Sequence, residues 1–211
     1  YKHNHEPEKG SRPMSATASG FVPSAGAGAM VLESLESALK RGAKIYAEIL
    51  GGHLNSGGQR GLGTMTAPNP KAVQKCIKDA LVNAKIHPDK IDAINGHLTA
   101  TSKDSLEIEN WSKALNRNGI DFPYINSLKS MVGHCLSAAG SVESVALVLQ
   151  LHQDFLFPNI NCEDLHAEIT NTIDASRIPR QLIKKELNVI IKASFGFGDV
   201  NGCVVFKKFN H

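Results

Sequence analysis

The stretch Ile91-Asp92-Ala93-Ile94-Asn95-Gly96-His97-Leu98-Thr99-Ala100-Thr101 decides how this chain is read. An apolar run of strand character ends at Asn-Gly and delivers a histidine and two threonines to the point where a helical pattern begins. The arrangement recurs in Tyr124-Ile125-Asn126-Ser127-Leu128-Lys129, which leads through Gly133-His134 into an alanine-rich helical segment. Two strand-to-helix units of this kind can bring His97 and His134 to one point, with Lys129 five residues before the second.

Upstream, Val73, Cys76, Ile77, Ala80, Leu81 and Ala84 fall at i, i+3, i+4, i+7, i+8 and i+11. That is the apolar stripe of an amphipathic helix, opened by Pro70 and ended by His87-Pro88-Asp89. Ser102 has the place of an N-cap for a helix that buries Leu106, Trp111, Ala114 and Leu115 and closes at Asn118-Gly119. A strand at Tyr124, a helix over about 134–152, a loop through Pro158, and strands near Val189 and Val204 follow. Towards the N-terminus the pattern predicts a small-residue turn into a buried strand over 26–32, a short helix over 35–41, a strand over 43–50 and a loop over 51–70. Helices alternating with strands predict an α/β or layered α/β/α fold on a largely parallel sheet with right-handed crossovers. Ligands on such sheets gather beyond the carboxyl ends of the strands, where both histidines are placed.

With 211 residues, 42% hydrophobic and 20% charged, the chain is expected to be a soluble globular unit of one large or two small domains. Its formal charge of +3 is too small and too dispersed to predict nucleic-acid binding, though it suits an acidic protein partner. No apolar run is long enough for a membrane span, and the opening Tyr1-Lys2-His3-Asn4-His5-Glu6-Pro7 does not have the form of a signal peptide. Without an initiator Met, the chain is expected to be a fragment. Cys76, Cys135, Cys162 and Cys203 form no C-x-x-C pair, so neither a zinc site nor a redox dithiol is predicted, and a reducing, cytoplasmic setting fits.

Two glycine-rich segments look like nucleotide sites and fail on spacing. Gly57-Gly58-Gln59-Arg60-Gly61-Leu62-Gly63 lacks the G-K-[ST] ending of a phosphate loop, and Ser194-Phe195-Gly196-Phe197-Gly198-Asp199-Val200-Asn201-Gly202 leads into a strand rather than a helix. The second segment instead predicts a tight turn whose backbone N–H groups and phenyl rings suit an oxyanion hole and an acyl-chain gate. The histidine pair has no third ligand at i+3 or i+4, so no metal is predicted there. His3, His5, His53, His87, His152, His166 and His211 read as surface or loop positions.

Four segments, in order from about Ser11 to Phe209, resemble motifs of the β-ketoacyl-acyl carrier protein synthases. They are Arg12-Pro13 with Gly20-Phe21-Val22 and Gly26-Ala27-Gly28; 95–101; 129–134 with Ala138-Ala139-Gly140; and 194–198. The resemblance implies a thiolase-like layered α/β/α fold, residues 1–42 being the tail of its N-terminal half and 43–211 its C-terminal half. It implies an acyltransferase of the elongating type, which joins an acyl-enzyme to malonyl-acyl carrier protein by decarboxylative Claisen condensation in fatty acid or polyketide synthesis. His97 and His134 become the histidine pair that assists decarboxylation, and Lys129 the charged residue that orders the site. Thr99, Thr101 and Thr66 become contacts of the pantetheine arm, and Phe197 the gate whose N–H joins the oxyanion hole. Glu143 and Phe195 become structural neighbours of the site. The acylated cysteine would lie upstream of Arg12, so this chain alone is expected to be inactive. The implied partners are the acyl carrier protein, acyl and malonyl thioesters and a second copy in a homodimer; departing CO₂ drives the reaction, so no cofactor is implied. A non-catalytic partner subunit that sets chain length is the alternative of the same fold. Ser15, Ser19 and Ala25 stand where the motif usually carries acidic residues, Leu98 where glycine follows the first histidine, and Ala100 where glycine or serine is usual. Leu98 either narrows the pantetheine tunnel or packs outward.

Overall fold

The computed structural model describes residues 3–210. Its centre is a five-stranded sheet of β1 (Glu48–Ser56), β2 (Ala93–Asn95), β3 (Tyr124–Asn126), β6 (Val189–Gly196) and β7 (Val200–Lys207), in the order β1-β7-β6-β2-β3. A separate antiparallel pair, β4 (Phe155–Leu156) and β5 (Ile183–Lys184), lies apart from it. The helices are α1 (Leu35–Lys40), α2 (Pro70–Ala84), α3 (Asp104–Leu115), α4 (Lys129–Val132), α5 (Ala139–Gln153) and α6 (Ala167–Thr172).

Side-chain alternation along the sheet sorts the core into two layers. Val189, Ile191, Ala193 and Phe195 of β6, with Cys203 and Val205 of β7, pack against α2 and α3 through Cys76, Ile77, Ile108 and Trp111. Ile190 and Phe206 face the other way and meet Leu147 and Leu151 of α5. The result is the layered α/β/α arrangement the sequence predicts. The sheet is mixed rather than largely parallel: β2 pairs in parallel with β3 and β6, whereas β6–β7 and β7–β1 are antiparallel. The turn at Phe197-Gly198-Asp199 makes the difference, because positive φ at Gly198 and Asp199 folds β7 straight back on β6.

Several predicted boundaries shift. The strand expected over 43–50 runs over Glu48–Ser56, because β7 dictates its extent: Glu48 pairs with Lys207 and Ser56 with Val200. Gly51 and Gly52 therefore lie inside a strand and not in a loop. A Cβ on Gly51 would stand 2.5 Å from Asn83 Oδ1 and 2.9 Å from Ala84 N, so glycine here admits the end of α2. The expected strand over 26–32 is absent; Val31 is 91% exposed, and Gly28 passes so close to α5 that a Cβ would meet Ser141 C at 2.7 Å. Ser102 is no cap: α3 starts after Lys103, and Asp104, inside the first turn, takes the backbone donors instead. Asn116, with left-handed φ, ends α3 before Asn118-Gly119, and positive φ at Gly133 and Leu136 delays the helix expected from 134 until Ala139.

The glycine-rich loop after β1 wraps an internal anion. Asp199 is fully buried, and its carboxylate accepts from Gln59 N at 3.1 Å and from Asn69 N, the N-cap of α2, at 2.8 Å. A Cβ on Gly57 would fall 1.9 Å from Asp199 Oδ2, so the carboxylate occupies the space that glycine vacates. Gly198 N also donates to Met65 O at 2.9 Å, which ties this loop to the hairpin carrying Phe197. A related exchange occurs at Ser15, whose hydroxyl donates to Asp164 Oδ1 at 2.6 Å while Arg12 pairs with the same oxygen at 3.0 Å. The acidic partner expected at position 15 thus arrives from a distant loop.

Removing the internal anion should loosen this corner. Asp199→Ala leaves the N–H groups of Gln59 and Asn69 without their acceptor and is expected to cost about 1–3 kcal/mol in urea unfolding, with faster hydrogen exchange at Asn69. Gly57→Ala is expected to destabilise by about 1–3 kcal/mol by overpacking against the same carboxylate. Unchanged stability in both variants contradicts this account.

Candidate active site

β6, β2 and β3 are adjacent and parallel, so their carboxyl ends open on one edge of the sheet. His97 lies two residues beyond β2, Lys129 and His134 follow β3, and Phe195 closes β6. The imidazoles of His97 and His134 meet with ring centroids 5.5 Å apart, edge to face at 81°. The Phe195 ring stands 6.3 Å from His97 and Phe21 stands 5.5 Å from His134.

A cleft of about 760 Å³ opens over the pair. Thr66, Thr99 and Thr101 line it, with Phe195 and Phe197 on the facing wall. Phe197 is 63% exposed, at the mouth. Lys129 and Glu143 lie behind the cleft, buried. Leu98 points away from it into the α2–α3 core, its carbonyl accepting from Ser127 Oγ at 2.9 Å, so it does not narrow the cleft.

The His97 loop is held by two carboxylates that the sequence reading missed. Glu107 accepts from His97 N at 2.7 Å, Leu98 N at 2.8 Å and the Trp111 indole at 3.2 Å. Asp104 accepts from Thr99 N, Ala100 N and Met14 N at 2.9, 3.1 and 2.8 Å. Together they satisfy the backbone of 97–100, including Ala100 in its left-handed conformation. The signal was the 104/107 spacing at a helix start, where carboxylates meet unpaired N–H groups. Burial pushes Glu107 up to about 7, with Asp104 adding to the rise and the Leu98 N–H opposing it.

His134 is fixed through its backbone and its ring. Its N–H donates to Val22 O at 2.7 Å and its carbonyl accepts from Ser24 N at 3.0 Å, so residues 22–24 lie alongside it. Leu136 N donates to His134 Nδ1 at 3.0 Å. With Nδ1 used as an acceptor, the neutral ring carries its proton on Nε2 and is an N–H donor there.

Behind the pair, Glu143 bridges two ammonium groups: Lys129 Nζ lies 2.5 Å from Oε1 and Lys192 Nζ 2.7 Å from Oε2. Burial alone would raise the Glu143 carboxyl, but Lys192 and Lys129 outweigh it and hold it below its ordinary value. Lys192 was not anticipated, although a lone charge within Val189-Ile190-Ile191-Lys192-Ala193 was visible as a signal. Burial first, then Lys129 and Lys192, depress His97 well below 6.5; burial and Lys129 lower His134 as well. Both rings are therefore neutral at pH 7.

The layered α/β/α sheet is thiolase-like, and two imidazoles pair at the ends of its parallel strands. The β-ketoacyl synthase C-terminal domain model matches residues 46–163, and the chain belongs to the β-ketoacyl synthase family. It is 39% identical over 210 residues to the chloroplastic 3-oxoacyl-[acyl-carrier-protein] synthase I of Arabidopsis thaliana, covering 98% of this chain and 42% of that protein. It is 38% identical to 3-oxoacyl-[acyl-carrier-protein] synthase 1 of Haemophilus influenzae, covering 99% and 48%. A solved type II polyketide synthase acyl-carrier protein in complex with its ketosynthase, bound to the hexaketide, matches with TM-score 0.83 and 30% identity over 97% of this chain and 49% of that one. The chain thus spans about half the length of the relatives it matches. No helix among the described residues is long and apolar enough to cross a membrane.

The Glu107 clamp carries a pH signature. Its folded pKa near 7 lies above the ordinary 4.5, so its contribution to stability is full below 4.5 and declines as pH rises to 7. Glu107→Gln places an amide N–H₂ against a backbone N–H and is expected to cost about 1–3 kcal/mol. The wild-type advantage in urea unfolding should be larger at pH 4.5 than at pH 7; a constant difference contradicts the clamp.

Proposed function

We propose that this chain supplies the donor side of the active site of a β-ketoacyl-acyl carrier protein synthase, the enzyme of decarboxylative chain elongation. The observation that carries the reading is the convergence of two imidazoles, 5.5 Å apart, under a threonine-lined cleft. Malonyl thioester enters with its pantetheine arm along Thr66, Thr99 and Thr101. The bond to the carboxylate breaks, CO₂ leaves, and the electron pair passes to the α-carbon and the thioester oxygen. His134 Nε2–H and the His97 imidazole then stabilise that oxygen as charge develops. The carbanion attacks the acyl thioester; the new C–C bond forms as the C–S bond breaks and the cysteine thiolate departs.

Lys129 and Glu143 act as positioning residues, because neither lines the cleft. Phe197 gates the acyl chain at the mouth, and its N–H serves the acyl carbonyl. Among the described residues no cysteine lines the cleft, and Cys135, next to His134, is buried against Ser24 Oγ at 3.2 Å. On this reading the acyl-carrying cysteine comes from outside these residues, and this chain by itself is expected to be inactive in condensation. The acyl carrier protein is the partner that presents the malonyl group, as the solved ketosynthase complex supports. All four cysteines are free, which agrees with a reducing compartment such as the cytoplasm. A chain-length partner subunit has no use for two desolvated imidazoles, which favours the enzyme.

His134→Ala, assayed in protein that carries the acyl-accepting cysteine, is expected to slow malonyl decarboxylation by about 10²–10³-fold while acylation of that cysteine persists. Loss of acylation with decarboxylation intact would reverse the assignment. Phe197→Ala is expected to change the chain-length profile of the products, and an unchanged profile removes the gate.

A further inference from the structure

We propose that Lys192 is a positioning residue of this site: its buried ammonium, clamped to Glu143 opposite Lys129, fixes that carboxylate and supplies the second positive charge beneath the imidazole pair. The inference deepens the synthase reading and rests on it.

Strand alternation alone sends position 192 to the α5 face, where Ile190 and Phe206 show that an apolar side chain fits. An ammonium is found there instead, and a buried ammonium persists only with partners. Lys192 has three: Glu143 Oε2 at 2.7 Å, the backbone carbonyl of Ala193, and Ser194 Oγ at 3.4 Å. Ser194 lines the cleft and Ala193 precedes Phe195, so this one group joins the carboxylate to the cleft wall.

The charge arithmetic gives the joint its chemical effect. Glu143 neutralises one ammonium, and the second leaves a surplus positive charge in a water-excluded region. The charged and titratable groups around the imidazoles are Lys129 on α4, Glu143 on α5, Lys192 on β6 and each other, with Glu107 on α3 against the His97 backbone and Lys103 and Asp104 at the start of α3 along the same cleft. With Lys129 alone the cluster would be neutral. With Lys192 it favours the unprotonated imidazoles and attracts the enolate that forms above them.

The test is an NMR titration of both imidazoles in this chain, with circular dichroism to verify folding. In Lys192→Met both midpoints are expected to move up towards 6.5, and in Lys192→Arg to stay near wild type. Unmoved midpoints in folded Lys192→Met overturn the proposal, as does an equal rise in Lys192→Arg. Should Lys192→Met not fold, Glu143→Gln is compared with Glu143→Gln/Lys192→Met: the first holds two uncompensated ammoniums and the second one, so its midpoints must be lower. Equal midpoints overturn the proposal. No thioester chemistry enters this readout, so it stands apart from the synthase reading. In a decarboxylation assay the acidic limb of the pH–rate profile should move to higher pH in Lys192→Met. Shifted midpoints here, with no decarboxylase activity in protein that carries the acyl-accepting cysteine, would leave Lys192 in place and remove the synthase.

Discussion

Parallel pairing of β2 with both β6 and β3 is the constraint on which everything else in this structure rests. It aligns three carboxyl ends, so that the loop after β2, the segment through α4 after β3 and the end of β6 itself bring His97, His134 and Phe195 to a common edge. Buried amides hold the ends of β2 and β3 in register with each other and with α5. Asn95 Nδ2 donates to Asn126 Oδ1 at 3.2 Å, Asn126 Nδ2 to Gln150 Oε1 at 2.8 Å, and Ser127 N to Asn159 Oδ1 at 2.8 Å. Broken, each of these buried bonds would leave a polar group without its partner, so they favour one alignment of the two strands.

Irregular segments around the sheet are held by carboxyl groups that accept from their backbone. Asp199 gathers the glycine-rich loop, Glu107 and Asp104 gather the His97–Thr101 segment, and Asp164 gathers Ser15 and Thr17. In each case a side chain takes up backbone donors that no sheet or helix supplies with a partner. This resolves two features that look anomalous in the sequence alone: a phosphate-loop composition with no phosphate chemistry, and a motif that lacks its usual acid.

Two neutral imidazoles in one cleft demand surroundings that resist their protonation. Burial supplies part of that resistance, and the buried ammonium groups supply the rest. The Leu136 N–H then selects one tautomer of His134, turning a residue with two interchangeable nitrogens into a donor of fixed direction. An imidazolium would stabilise an oxyanion as well, but it could not also serve as a base or acceptor.

Much of this was legible in the chain itself. The α2 stripe, the two strand-to-histidine units and the Phe197 turn follow from periodicity and from glycine placement, which depend on neighbours a few residues away. Local order also placed His97, Thr99 and Thr101 just past one strand and Lys129 and His134 past another, whereas Thr66 came only from the family resemblance. What tertiary structure alone decided were features set by distant partners. β7 set the limits of β1; α2 explained Gly51; α5 gave Lys192 and Glu143 to each other across 49 positions. Burial is a property of the assembled layers, so whether Leu98 met the cleft or the core, and whether Glu107 was a solvated acid or a clamp, had no local signature. Sequence determined which groups reach the sheet edge, since backbone geometry acts over short range; only the packed fold determined their charge state, since desolvation and Coulomb forces depend on whatever surrounds them in space.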